Sequence, residues 1–107
     1  MQFYTAEYST VVDRLKAQGN NIYELHPGGS DSIGALGYVN AFDQIVCFSQ
    51  ASNVHFHKMI HSVGSTGTQV GLLLGQSISK YETTIIGMSA ARKSDIQQEI
   101  TYELAKS

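Results

Sequence analysis

Apolar residues follow two different periods along this 107-residue chain, and the changes of period predict its secondary structure. Tyr8, Val11, Val12 and Leu15 recur at helical spacing, whereas shorter apolar runs bounded by turn residues are typical of strands. The pattern predicts four helices, over residues 5–18, about 31–49, 68–79 and from 94 onward, and three strands, over residues 21–26, 57–63 and 83–89.

Helices that alternate with strands favour parallel pairing through right-handed crossovers. We therefore predict a single α/β domain over residues 1–107, a three-layer unit with a short parallel sheet of about three strands flanked by helices, in the order αβαβαβα. Local signals support the boundaries. Gly19 and Asn20 suit a helix end, Ser30 or Asp31 an N-cap, and residues 94–97 form a capping-box pattern.

Composition narrows the function classes. Apolar residues make up 42% of the chain and charged residues 15%, which is typical of a folded globular protein. The net charge is −2 and the seven Lys and Arg residues are scattered, which argues against binding to nucleic acid or to an anionic membrane surface. No apolar run approaches the roughly 20 residues needed to cross a bilayer.

Cys47 is the only cysteine, so an internal disulfide is impossible and we expect a cytoplasmic location. The first seven residues lack the basic start and apolar centre of a signal peptide, which agrees with that expectation. Cys47 lies late in an apolar helix without a basic neighbour, which favours a buried, inert thiol over a nucleophile.

The strongest chemical signal is a glycine-rich turn between the second predicted strand and the helix that follows it. The turn comprises Gly64, Ser65, Thr66, Gly67 and Thr68. Glycines let the backbone approach an anion closely, and a helix points its positive end at the same place. The turn matches neither a Walker loop nor Gly-x-Gly-x-x-Gly, so an empty strand-to-helix turn is an equally good interpretation of these residues alone.

Other candidate chemistry is weaker. His55, His57 and His61 surround one predicted strand, but only the first two are close enough to share a metal, and we predict no metal site. Arg92 and Lys93 follow the last strand; they either add positive charge near a bound anion or, as the sequence favours, are solvated. We predict no catalytic residue.

Two segments together resemble a known family. The stretch Gly28-Gly29-Ser30-Asp31-Ser32-Ile33-Gly34-Ala35-Leu36-Gly37-Tyr38-Val39, followed by a strand and the turn from Gly64 to Gly71, resembles the D-cysteine desulfhydrases and 1-aminocyclopropane-1-carboxylate (ACC) deaminases. These are enzymes of the tryptophan synthase β-like fold that depend on pyridoxal phosphate (PLP). The resemblance is strong over residues 11–88, a middle portion of the family's usual length. It implies that Gly64, Ser65, Thr66, Gly67 and Thr68 bind the PLP phosphate.

The lysine that the family uses for catalysis has no counterpart in this sequence. The family attaches PLP covalently through a lysine in a Gly-Gly-Asn-Lys context upstream, and none of the chain's lysines has that context: Lys16, Lys58, Lys80, Lys93 and Lys106. The segment from Gln50 to His55 is similar to the family's Gln-Ser-Asn-His motif, but its spacing is wrong and we interpret it as coincidence. Any PLP would thus be held non-covalently at most.

We interpret the chain as a module derived from, or truncated out of, such an enzyme, not catalytic alone and able at most to bind a phosphorylated ligand or anion at the turn. One alternative is a subunit of a split PLP-dependent enzyme that another chain completes. The other is a structural or interaction module with an empty turn. A small mobile gene, such as an integron cassette, is one source of such reading frames. Exposed strand edges and apolar helix faces predict a homo-oligomer, most simply a two-fold dimer.

Overall fold

Four α-helices and two β-strands make up the part of the chain that a computed structural model describes, residues 5–107. Residues 1–4, part of the segment judged above not to be a signal peptide, lie outside it. The elements follow in the order α1 (Thr5–Ala17), a 3-10 turn (Pro27–Gly29), α2 (Ser32–Ser52), β1 (Lys58–Val63), α3 (Gly67–Ser79), β2 (Thr84–Ser89) and α4 (Ser94–Lys106).

The two strands pair in parallel, with Lys58 beside Thr84 at one end and Val63 beside Ser89 at the other. The ladder extends past β2, because the Ala90 N–H donates to the Val63 carbonyl at 3.0 Å. This confirms the predicted α/β class, a short parallel sheet flanked by helices. Parallel pairing also brings the carboxyl ends of β1 and β2, and the loops that follow them, to the same edge of the sheet.

The first predicted strand is wrong. Residues 21–26 have no regular structure, so the sheet has two strands where about three were expected. Tyr23 and Leu25 are 77% and 68% exposed, and no strand among the described residues lies beside this segment. A strand needs a neighbouring strand to satisfy its backbone N–H and C=O groups. The sequence pattern of residues 21–26 does not show whether the fold provides that neighbour.

The core lies between α2 and α3, where Phe42 is fully buried. Gly71 and Gly75, one turn apart on α3, face α2 so closely that a Cβ on Gly75 would lie 2.6 Å from the Phe42 Cβ. A Cβ on Gly71 would overlap the Ala35 carbonyl oxygen. The buried residues of α3 are Gly67, Val70, Gly71, Leu72 and Gly75. Helical spacing predicted Val70, Leu73, Leu74 and Ile78 as the inner stripe, which is right for Val70 and wrong for the other three, because they are exposed.

The start of α4 also differs from its prediction. Ser94 is the first helical residue and Lys93 is the N-cap, with no side-chain cap hydrogen bond, so the predicted capping box does not form. Gln97, expected to reach back to the helix start, is buried and accepts a hydrogen bond from Arg92 instead. The spacing of Ile96, Ile100 and Leu104 predicted a buried stripe on this helix, but Ile96 is 46% exposed.

Helix α1 ends as predicted, because Gly19 adopts a left-handed conformation with φ of +81°. Its last turn is connected to the following segment by an ion pair, with Lys16 Nζ 2.9 Å from Glu24 Oε1. The hydrogen bond and the opposite charge raise the pKa of Lys16 and lower the pKa of Glu24. Both groups are exposed, so the pair connects these segments without contributing much stability.

The outer face of α2, defined here as Ile33, Leu36 and Phe48, is largely exposed, although the Phe48 ring stacks on the ring of Phe56 in the loop that follows. These side chains are 71%, 59% and 60% exposed. Apolar residues around much of the circumference of α2 predicted a helix covered on more than one side, and this prediction is wrong for the chain by itself. Among residues 5–107, no helix combines the length and apolar character that crossing a membrane requires.

Candidate functional site

Two glycine-rich segments, far apart in the sequence, meet at the carboxyl end of β1. The first is the 3-10 turn with Ser30, and the second is the predicted turn from Gly64 to Thr68. The Gly67 N–H donates to Ser30 Oγ at 3.2 Å. Gly28 lies so close to the second turn that a Cβ on it would be 2.7 Å from the Ser65 Cβ. Its φ of +72° also favours glycine.

The second turn leads directly into α3. Thr66 is the N-cap residue, 3% exposed, with a left-handed backbone at φ +83° that is uncommon for a β-branched residue. Its side chain makes no cap hydrogen bond. The first amides of a helix have no partner within the helix, and the helix dipole makes that end positive. The amino end of α3 thus presents donors that its own N-cap residue does not use.

Ser65 and Thr68 are half-buried on either side of Thr66 and Gly67. The structure therefore divides the five predicted site residues between the loop after β1, which comprises Gly64, Ser65 and Thr66, and the first two residues of α3, Gly67 and Thr68. Their role in phosphate binding stays a prediction. Ser30, named above as one of two candidate N-caps for the second helix, contributes a hydroxyl to the same place.

The amino end of α2 lies next to this turn and is closed differently. Asp31 is its N-cap, and Oδ1 accepts a hydrogen bond from the Gly34 N–H at 2.6 Å. This confirms Asp31, one of the two predicted caps. A carboxylate at that position already satisfies the helix end and repels a second anion.

Arg92 reaches the turn from the loop that follows β2. Its Nη1 donates to the Gly64 carbonyl and, at 3.3 Å, to Gln97 Oε1. The side chain is half-buried, so the favoured expectation of a solvated arginine is wrong. Lys93 is exposed, as predicted for a solvated lysine.

The three histidines do not form a single cluster. The rings of His55 and His57 have centroids 4.7 Å apart and precede β1. His61 lies within β1, with Nε2 2.5 Å from Gln69 Oε1. Across residues 5–107 no group of three or more His, Cys, Asp or Glu side chains is arranged to hold a metal ion.

Cys47 is exposed on α2, so the prediction of a buried thiol is wrong. The helix is apolar around much of its surface, and apolar neighbours in sequence did not reveal which face is covered. The segment from Gln50 to His55 comprises the last turn of α2, its left-handed C-cap Asn53 and the first two residues of the loop that follows. Its polar residues have a local role in ending the helix.

Comparison with known proteins gives sequence relatives that are named as D-cysteine desulfhydrases or ACC deaminases. The chain is 39% identical to the D-cysteine desulfhydrase of Serratia proteamaculans over 87 residues, covering 81% of the chain and 26% of the relative. It is 36% identical to the D-cysteine desulfhydrase of Yersinia enterocolitica over 105 residues, covering 94% and 32%. A Pyrococcus horikoshii protein with the provisional name ACC deaminase is 35% identical over 96 residues, covering 90% and 29%.

No protein-family model matches the chain. The chain spans less than a third of the length of these curated relatives. The alignments with these relatives nevertheless span most of the chain, including the stretch that holds both glycine-rich segments of the site. The chain is thus related to the D-cysteine desulfhydrase and ACC deaminase family and corresponds to one part of these longer proteins.

Proposed function

We propose that the turn from Gly64 to Thr68 binds the phosphate group of a small ligand, PLP or another phosphorylated compound, and that this chain alone is not a catalyst. The observation that carries the proposal is the amino end of α3. The Thr66 side chain does not cap the first amides of α3, of which Gly67 N–H donates to Ser30, and such amides are strong donors for an anion. The hydroxyl groups of Ser65 and Thr68 add two further donors at the same turn.

The residues at the turn fit the phosphate of PLP but not its covalent attachment. PLP, when bound, supplies an electron sink for the substrate, and its enzymes hold it through a lysine. Lys58 starts β1 and Lys80 ends α3, so each is about 20 Å from the turn by the rise per residue of its element. Lys16 pairs with Glu24 and Lys106 with Glu103, both on the surface.

Lys93 is the lysine that follows a strand at the same edge of the sheet as the turn. It is exposed as the N-cap residue of α4, and it lacks the Gly-Gly-Asn-Lys context of the family's lysine. We therefore expect PLP to dock without covalent attachment. The phosphate would be held by the turn, and the ring would have no lysine partner supplied by these residues.

Titration of the purified chain with inorganic phosphate and with PLP, followed by calorimetry and visible absorbance, tests the proposal. We expect both ligands to bind, with no absorbance change typical of lysine attachment and no peptide labelled after borohydride reduction. Ser65→Ala should weaken binding, whereas Ser77→Ala, an exposed serine of α3, should not. Absence of phosphate binding at millimolar concentration would overturn the anion site and favour a structural module.

Turnover of D-cysteine by the chain alone, together with one labelled lysine, would overturn the non-catalytic part of the proposal. Lys93→Arg identifies the attachment if labelling occurs. Activity that arises only when a second chain supplies the missing lysine would favour the alternative of a split enzyme. In that case the phosphate site would still be at the turn, and Ser65→Ala would lower the activity of the assembled enzyme.

We also propose that the chain forms a two-fold homodimer through the outer face of α2. The face exposes three large apolar side chains, and Asp43 is the only charged residue in α2, so an identical face opposes it with little like-charge repulsion. Light scattering should give a dimer at micromolar concentration, and Leu36→Glu should give a folded monomer. Glu99→Gln, on the exposed surface of α4, is the control. A monomeric parent chain would contradict this proposal.

A further inference from the structure

Arg92 connects the end of β2 to the glycine-rich turn, across 28 residues of sequence. Its loop is fixed from two sides. The Ala90 N–H donates to the Val63 carbonyl at 3.0 Å, which continues the ladder of the sheet. Ser89 Oγ donates to the Arg92 carbonyl at 2.6 Å, which closes the turn that Arg92 occupies. The backbone of Arg92 is therefore held beside the residue that follows β1, Gly64.

The guanidinium group binds the Gly64 carbonyl and Gln97 Oε1 through the same nitrogen, Nη1. Gln97 is 6% exposed, so one acceptor of the arginine belongs to the buried side of α4. Arg92 as a residue is half-buried, and a partly buried cation is less screened by water than a fully exposed one. The arginine thus places a lasting positive charge next to the turn.

Planarity of the peptide bond gives this contact a second consequence. The Gly64 carbonyl and the Ser65 N–H belong to one trans peptide unit, in which the two groups point in opposite directions. A glycine on one side makes this unit easy to rotate, since no Cβ restricts its backbone. Arg92, by holding the carbonyl, fixes the direction of the Ser65 N–H on the opposite side.

We propose that Arg92 is a positioning residue for the anion site: it orients the Ser65 amide and adds cationic charge beside the turn. This inference rests on the proposed phosphate binding. It assigns to the site a preference for dianionic ligands, such as a phosphate monoester, over monoanions of similar size. Lys93, its neighbour, carries the same formal charge, but its side chain is exposed, and it provides the matched control.

The test measures inorganic phosphate affinity by NMR titration of the isotope-labelled chain, with the Ser65 amide as the reporter. Arg92→Gln should weaken phosphate binding about tenfold, because it removes a charge and a charge-assisted hydrogen bond. Arg92→Lys should recover part of the loss, and Lys93→Gln should change the affinity less than about twofold, as expected for a screened surface charge. The affinity for formate, a monoanion, should differ less between the parent chain and Arg92→Gln than the affinity for phosphate does.

A second readout does not depend on ligand. Without phosphate, Arg92→Gln should shift the Ser65 amide resonance and speed its hydrogen exchange, and Arg92→Lys should restore part of both. Equal phosphate affinity in the parent chain and Arg92→Gln would overturn the inference and leave the phosphate site intact. If the parent chain binds no phosphate, the proposed function fails, and an unchanged Ser65 amide in both Arg92 variants would then overturn the positioning role as well. Should Arg92→Gln not fold, Arg92→Lys and Lys93→Gln decide between the outcomes.

Discussion

The amino ends of α2 and α3 lie side by side, yet they are closed in opposite ways. At α2, the carboxylate of Asp31 accepts the Gly34 N–H at 2.6 Å, so the end carries its own negative charge. At α3, the buried Thr66 makes no side-chain cap bond, and the neutral hydroxyl of Ser30 accepts the Gly67 N–H at 3.2 Å. The first arrangement repels an anion, and the second leaves a positive helix end that an anion can stabilise.

The two ends are also coupled through one short segment. Ser30 and Asp31 are consecutive, so the same stretch of backbone supplies a partner to the start of each helix. Gly28 brings this stretch against Ser65. A change that moves the segment should therefore affect both helices, whereas a change to one side chain should affect only one of them. Substitutions can test this difference.

The largest effect is expected for Gly28→Ala. The positive φ of Gly28 would cost an alanine about 1 to 2 kcal/mol, and its Cβ would overlap the Ser65 hydroxyl, adding about 1 to 2 kcal/mol of strain. We expect a loss of about 3 kcal/mol in the free energy of unfolding, measured with urea, and weaker phosphate binding.

Gly29→Ala is the control for this prediction. Gly29 also has a positive φ, +59°, but a Cβ on it would meet nothing within 4 Å. Its loss should be limited to the backbone cost of about 1 to 2 kcal/mol. Equal losses for the two variants would show that the contact with Ser65 does not hold the segments together.

Asp31→Ala should have a smaller effect than Gly28→Ala, and it should change stability and phosphate binding in opposite directions. Loss of the cap should lower the free energy of unfolding by about 1 kcal/mol. Removing a carboxylate beside the turn should at the same time strengthen phosphate binding, because like-charge repulsion falls. Asp43→Ala, on the exposed surface of α2, removes the same charge without removing a cap and should cause neither change. Weaker phosphate binding in Asp31→Ala would contradict the contrast between the two helix ends.

The local part of this arrangement could be predicted from the sequence. The positions of the helices and of the two paired strands follow from periodicity. Asp31 starts α2 and Gly19 ends α1 through interactions within a few residues of sequence. The segment 21–26 could not be judged in this way, because its pattern suits a strand that would need a neighbour which the fold does not provide. Gly71 and Gly75 were likewise overlooked, since a glycine carries no hydrophobic signal although it permits the closest contact of α3 with α2.

The turn itself was evident from the sequence, but its supports were not. Ser30 is 37 residues from Gly67, and Arg92 is 28 residues from Gly64. Their contacts depend on parallel pairing of β1 with β2 and on the packing of α2 against α3. A basic residue after a strand is solvated in most proteins, and only the tertiary fold shows that Arg92 bends back to a carbonyl. The residue types of the turn indicated which ligand it could bind, whereas the topology of the fold determines that Ser30 and Arg92 support the turn.

The smallest effect concerns Ser30, which accepts the Gly67 N–H in the ligand-free chain. Ser30→Ala should lower the free energy of unfolding by about 0.5 to 1 kcal/mol, because that donor loses its partner. If an anion bonds the same donor, saturating phosphate should stabilise Ser30→Ala more than the parent chain and reduce the difference between them. Ser32→Ala, at the exposed first residue of α2, should show no such gain. A deficit in Ser30→Ala that phosphate leaves unchanged would mean that the bound anion does not reach Gly67, and the site would then be confined to the amides of Ser65, Thr66 and Thr68.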